Sequence, residues 1–319
     1  MDCVNDKYAF TGEIMTYKGQ EYARIVALRD IHTVDGKVIR KGEKGGWLCQ
    51  YNKDENGNPV MNRWSNMQLS FDTDSWVGGD AICGGEIRGN ALLKDNAVLD
   101  SGSFMNDNAI ASGHAHIFEE SDLNGNCRVS DYARVQFSVI GGNAVIDGNA
   151  YVHANSYDCP LMIAFGNAHI GELAEVSGWS DRYEVFNAPF TGTMLSGEMQ
   201  IYAKNYLESD IKVKNVEEPL TLTSYEKREL FLAEEAVREA LEKLDMPLKM
   251  KEEDKFLEDI PQLAFSKELR FDRADASREE FERFIDAVKS YGLLKEEVKD
   301  IKDLKSEDKE TSLTNEHKK

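Results

Sequence analysis

From Ala91 to Ala133 a small residue stands at every sixth position: Ala91, Ala97, Ser103, Ala109, Ala115, Ser121, Cys127, Ala133. The column then loses one residue and resumes at Ala144, Ala150, Ser156, Ala168, Ala174 and Ser180, with Met162 as its bulky member. A second, mostly aliphatic column runs four residues ahead of it, through Leu93, Leu99, Met105, Ala111, Ile117, Leu123, Val129, Ile146, Val152, Ala164 and Ile170. A helix repeats every ~3.6 residues and a strand alternates every two, so neither generates a period of six. A triangular coil does, with three short flat strands per turn of about 18 residues and turns stacked about 4.8 Å apart. The aliphatic residue fills the inside of a flat face, and the small one fits where the chain rounds a corner. The repeat therefore predicts a single-stranded parallel β-helix over residues 76–180.

The flanks lack this period. Residues 1–75 read as a small β cap, with a hairpin turning at Lys18-Gly19 and a loop at Asp54–Pro59. A cap has a physical task, because the first turn of a stacked coil exposes a sheet edge that recruits other chains. Residues 181–222 read as an extended connector and 223–305 as helical, with capping boxes at Thr223–Glu226 and Ser277–Glu280. The stretch 306–319 is without a packing pattern and reads as a disordered tail. Within the coil, 153–165 fits the repeat poorly and is expected to be a loop or a distorted turn.

Net charge is −20, and residues 76–180 alone carry 13 Asp and Glu against Arg88, Lys94, Arg128 and Arg134. Phosphate backbones require a basic footprint, so direct nucleic-acid binding is not expected. An acid surplus keeps a protein soluble and also attracts basic partners. No run of 18 apolar residues and no basic-then-apolar leader occurs, so neither a membrane span nor a secretory signal is expected. Five cysteines without a CxxC pair fit a reducing, cytoplasmic setting and support neither disulfides nor a structural metal.

The hexapeptide pattern resembles the left-handed β-helix of trimeric hexapeptide acyltransferases. More narrowly, Ala23–Ile31 (ARIVALRDI), Lys41–Leu48 (KGEKGGWL) and Trp76–Ala81 (WVGGDA), in that order, resemble β-helix proteins of phages and prophages. The match spans about residues 10–180. The resemblance implies left-handed winding and a homotrimer, and it brings in an acyl-CoA-like donor and a histidine general base if the chain is an enzyme.

Folding the sequence at 18 residues per turn, with one residue removed after Ala133, places His116, Arg134, Tyr151 and His169 in one outward column. Such a stripe suits anion binding or proton transfer, with His116 and His169 the catalytic candidates for an acyltransferase. Outward positions on a coil also accept polar residues freely, and the coil is poor in Lys and Arg for a phosphorylated donor. The favoured expectation is thus a non-catalytic binding protein of phage or prophage type, cytoplasmic and without a cofactor. It would sequester or inhibit a host (defence) factor or a small molecule through its acidic scaffold. The alternatives are a trimeric acyltransferase and a structural, polymer-forming component.

Overall fold

The computed structural model describes residues 5–154 and 162–178, the strand segments Tyr183–Phe186, Pro189–Phe190, Leu195–Ser196 and Gln200–Ile201, and residues 220–243, 269–271, 273 and 276–294. The chain divides into two units, Met1–Glu217 and Glu218–Lys319.

The first unit is a parallel β-helix of the left-handed class, closed at its start by a β cap. Among the described residues each of its three faces stacks seven short strands. The first face starts at Ile82–Cys83, the second at Glu86–Ile87 and the third at Trp76–Val77. On the third face Trp76 pairs with Leu92, then Leu92 with Ile110, Ile110 with Arg128, Arg128 with Val145, and Val145 with His169. Both six-residue columns point inward: Leu93, Leu99, Met105, Ile117, Leu123 and Val129 are wholly buried, as are Ala91, Ala97, Ser103, Ala109, Ala115, Ser121, Cys127 and Ala133. The residue lost after Ala133 is absorbed at one corner, where Phe137 alone takes the left-handed backbone (φ 46) and Ser138 becomes the buried small residue.

Corners need left-handed backbone, which Gly, Asp and Asn supply at low cost. Gly113 (φ 66) illustrates why Gly alternates there with Asp: a Cβ would come within 2.9 Å of the Asp131 amide one coil on. The corner asparagine side chains bond from coil to coil. Asn90, Asn108, Asn126, Asn143 and Asn167 form a ladder with amide bonds of 3.2, 3.0, 3.0 and 3.1 Å.

The cap hairpin pairs Tyr8–Tyr17 with Gln20–Ala27 and turns at Lys18-Gly19, as expected. Gln20–Ala27 pairs antiparallel with Lys44–Leu48, which in turn runs parallel to Ile82–Cys83. The cap sheet thus continues into the first coil face and covers its edge. Trp47 stands in this junction, opposite Ile82 with the Arg24 guanidinium 5.0 Å over its ring, and Trp76 is wholly buried at the first turn.

Stacking runs beyond Ser180. The strands of 183–201 continue all three faces, so the first part of the segment expected to be a connector belongs to the ladder. The rest of that connector to residue 219, residues 155–161, residues 295–305 of the stretch expected to be helical and the tail 306–319 lie outside the described residues.

In the second unit the helices Ser224–Lys243 and Arg278–Ser290 pack together through Leu230, Ala233, Val237 and Leu241 on one, and Phe281, Phe284, Ile285 and Val288 on the other. Both N-caps form: Thr223 Oγ1 accepts from Glu226 N (3.3 Å) while Glu226 Oε2 accepts from Thr223 N (2.8 Å), a full capping box, and Ser277 Oγ accepts from Glu280 N (3.1 Å). Arg273 is buried with its Nη2 3.0 Å from both carboxylate oxygens of Glu234.

Candidate functional site on the first coil face

In every flat strand one inward residue is flanked by two outward positions, one before it and one after it. On the first face the positions before are Val98, His116, Arg134, Tyr151 and Glu175, in register. Three members of the expected stripe are therefore neighbours, and the fourth is not. His169 lies on the third face opposite Val145, and Glu175 takes the place assigned to it. The reason is coil length: Tyr151 pairs with Glu175, 24 residues on, whereas the turn below joins Arg134 to Tyr151 in 17. The extra chain falls between His153 and Met162, within the segment that broke the repeat.

The stripe is also not an open surface. His116 is 1% exposed, Arg134 5% and Glu175 6%. Side chains from the two outward positions lean together into a second layer over the strand. His116 stacks on Phe118 with centroids 4.5 Å apart, Tyr151 stacks on His153 at 4.2 Å, and the Arg134 guanidinium lies 4.6 Å over the Tyr151 ring.

Hydrogen bonds join these layers along one diagonal. The outward residue after one strand meets the outward residue before the strand of the next coil. Asp100 Oδ2 is 2.8 Å from His116 Nε2, and His153 Nε2 is 3.0 Å from Glu175 Oε1. Between them Tyr151 Oη donates to Gln136 Oε1, and Gln136 Nε2 donates to Glu119. An ionised carboxylate only accepts, so His116 Nε2 carries the proton toward Asp100. Burial alone would raise the Asp100 carboxyl, but the His116 bond and the nearby His116 and Lys18 charges hold it below its ordinary value. Lys18 Nζ, 3.2 Å from the same oxygen, ties the cap hairpin to this network.

The third face repeats the diagonal once, with His169 Nε2 2.8 Å from Asp147 Oδ2. Here the imidazole is open, its side chain 44% exposed. Gly171 is what leaves room for the pair, because a Cβ there would land on Asp147 Oδ1 and within 3.1 Å of His169 Nε2. His114 belongs to neither face; it stacks on Tyr132 at a corner, 4.9 Å away and nearly parallel.

Sequence reasoning missed Asp100, Gln136, His153, Glu175 and Asp147. A signal for them exists, since diagonal partners are separated by two residues fewer than the local coil: 16 for Asp100–His116 and 22 for both His153–Glu175 and Asp147–His169. Among the described residues there is no group of three or more metal-ligating side chains, and no helix is long and apolar enough to cross a membrane. Cys49, Cys83 and Cys127 are free thiols, and burial pushes Cys127 up to about 12, which fits a packing role. No protein-family model and no curated protein matches the chain.

Proposed function

We propose that this chain is a non-catalytic binding protein of the phage or prophage type, a rigid acidic scaffold that sequesters or inhibits a basic host factor in the cytoplasm. The observation that carries this reading is the state of His116. Its imidazole is enclosed and spent on Asp100, as a stitch between coils, where a general base needs an approach for substrate. The charge of −20 supports a basic partner, and stacked coils with laddered corners hold a surface without ordering cost on binding. Retrieval from bacterial lysate at low and high salt tests it. One dominant basic protein released as salt rises is the expected result, and retention of none, or of one indifferent to salt, contradicts it.

The second reading, a trimeric hexapeptide-type acyltransferase, draws on one observation: the open His169, oriented by Asp147. Imidazole held by a carboxylate is competent to take a proton from a hydroxyl or amine acceptor while an acyl-CoA-like donor surrenders its acyl group. Turnover with such donors that vanishes in His169→Ala would establish it.

A further inference from the structure

The cap covers the edge of the coil but ends in an edge of its own. In the sheet that runs from cap to coil, Tyr8–Tyr17 is the terminal strand, paired on one side with Gln20–Ala27 and on the other with no strand among the described residues. The Lys18-Gly19 turn has positive φ at both positions (46 and 78), the two-residue hairpin type whose flanking residues exchange both backbone bonds, here Tyr17 and Gln20. Bonded and non-bonded pairs alternate along an antiparallel ladder. Met15 and Tyr22 are therefore a bonded pair, whereas Ile14 and Thr16 turn their N–H and C=O groups away from the partner strand. No backbone group among the described residues meets them on that side. Both side chains are exposed, Ile14 to 37%. The open stretch is short, because Gly12 (φ 92) sits in an irregularity between Phe10 and Ile14 that interrupts the ladder.

We infer that this edge pairs with the same edge of a second copy of the chain, antiparallel about a two-fold axis through Met15. Ile14 and Thr16 lie symmetrically on either side of Met15. The axis therefore sets Ile14 of each copy opposite Thr16 of the other, and every open N–H and C=O of these residues finds a partner. Charge favours this occupant over a basic segment. Ile14–Tyr17 carries no charge, and the neighbouring acids already hold cations: Glu13 with Lys44, Glu21 with Lys53 (2.7 Å) and Asp100 with Lys18 (3.2 Å). The two-fold register also brings Glu13 of one copy opposite Tyr17 and beside Lys18 of the other, so opposite charges meet at both ends of the seam. Pairing edge with edge leaves none for a third copy, which makes the assembly a closed dimer, distinct from the trimer that the resemblance implies.

Sedimentation of the full chain over about a hundredfold range of concentration reads the dimer. Thr16→Pro deletes an outward N–H that the fold does not use, Ile14→Lys puts a charge on the edge, and Leu232→Lys makes the same change at an exposed position of the second unit. The expected result is a reversible monomer–dimer equilibrium, weakened about tenfold or more by Thr16→Pro and by Ile14→Lys and unaltered by Leu232→Lys. Circular dichroism confirms that each variant is folded. Met15→Cys reads the register separately. Its thiols face each other across the axis, and oxidised glutathione joins them in one intermolecular disulfide while it is itself reduced to two thiols; in Tyr17→Cys the introduced thiols lie too far apart to join. A monomer at every concentration, an oligomer indifferent to both Thr16→Pro and Ile14→Lys, or equal cross-linking of Met15→Cys and Tyr17→Cys would each overturn the inference.

Discussion

Asp100 and His116 meet across a coil step, Oδ2 of one 2.8 Å from Nε2 of the other, sixteen residues apart in sequence. The pair converts a residue type associated with catalysis into a fastening between neighbouring turns. The same construction recurs at His153–Glu175 on this face and at Asp147–His169 on the third.

Removing that fastening leaves a carboxylate without its main donor. His116→Ala is expected to cost about 1–3 kcal/mol of stability, partly through the unpaired Asp100. Asp100→Asn with His116→Ala should then cost less than the sum of the two single changes. Urea unfolding of the four proteins measures the coupling; strict additivity would show that the pair is no stitch.

Lys7 sets the pH response of the cap. It is wholly buried, donating to Ser70 O at 2.5 Å and Ser75 Oγ at 2.9 Å. Burial, aided by the Arg29 charge, lowers its pKa from 10.5 to about 7, against the pull of Asp74 and Asp72. With the folded value below the unfolded one, the unfolded chain binds more protons between these limits, so this residue makes stability rise from about pH 7 to pH 10.5. Lys7→Met should flatten that rise. Unfolding at pH 7.5 and at pH 9.5, wild type against variant, reads the difference; an equal slope in both would refute it.

Two corner glycines separate backbone strain from collision. Gly102 (φ 83) and Gly113 (φ 66) are both left-handed, but a Cβ at Gly102 meets only the Glu120 side chain at 3.6 Å, whereas at Gly113 it strikes the Asp131 backbone. Gly102→Ala should cost about 1 kcal/mol and Gly113→Ala distinctly more. Thermal melts of the two variants check the order.

The asparagine ladder gives a positional prediction. Asn126 both donates to Asn143 and accepts from Asn108, while Asn90 at the start of the ladder only donates, to Asn108. Asn126→Ala should lower the melting temperature more than Asn90→Ala, each rung contributing about 0.5–1 kcal/mol. Equal effects would mean the amides act at their own turns and not between coils.

The sequence announces the coil because packing dictates its inward columns: no residue larger than Cys127 fits the corners between Ala91 and Ala133. The outward stripe was legible only while the coil length held. His116, Arg134 and Tyr151 align since their steps are 18 and 17, and His169 misses because the next turn takes 24 residues and moves it to another face. Enclosure of His116 was not legible at all. It depends on stacking against Phe118 and on Asp100 from the turn below, contacts that exist once the register is fixed. The ladder past Ser180 was hidden for a related reason, since 183–201 stacks without the strict six-residue spacing.

Acyl transfer by the intact chain decides most directly between binding and catalysis. With a panel of acyl-CoA donors and small amine or hydroxyl acceptors, the binding account predicts no release of free CoA above background and no thermal shift with any donor. Donor-dependent turnover that disappears in His116→Ala or His169→Ala would contradict it.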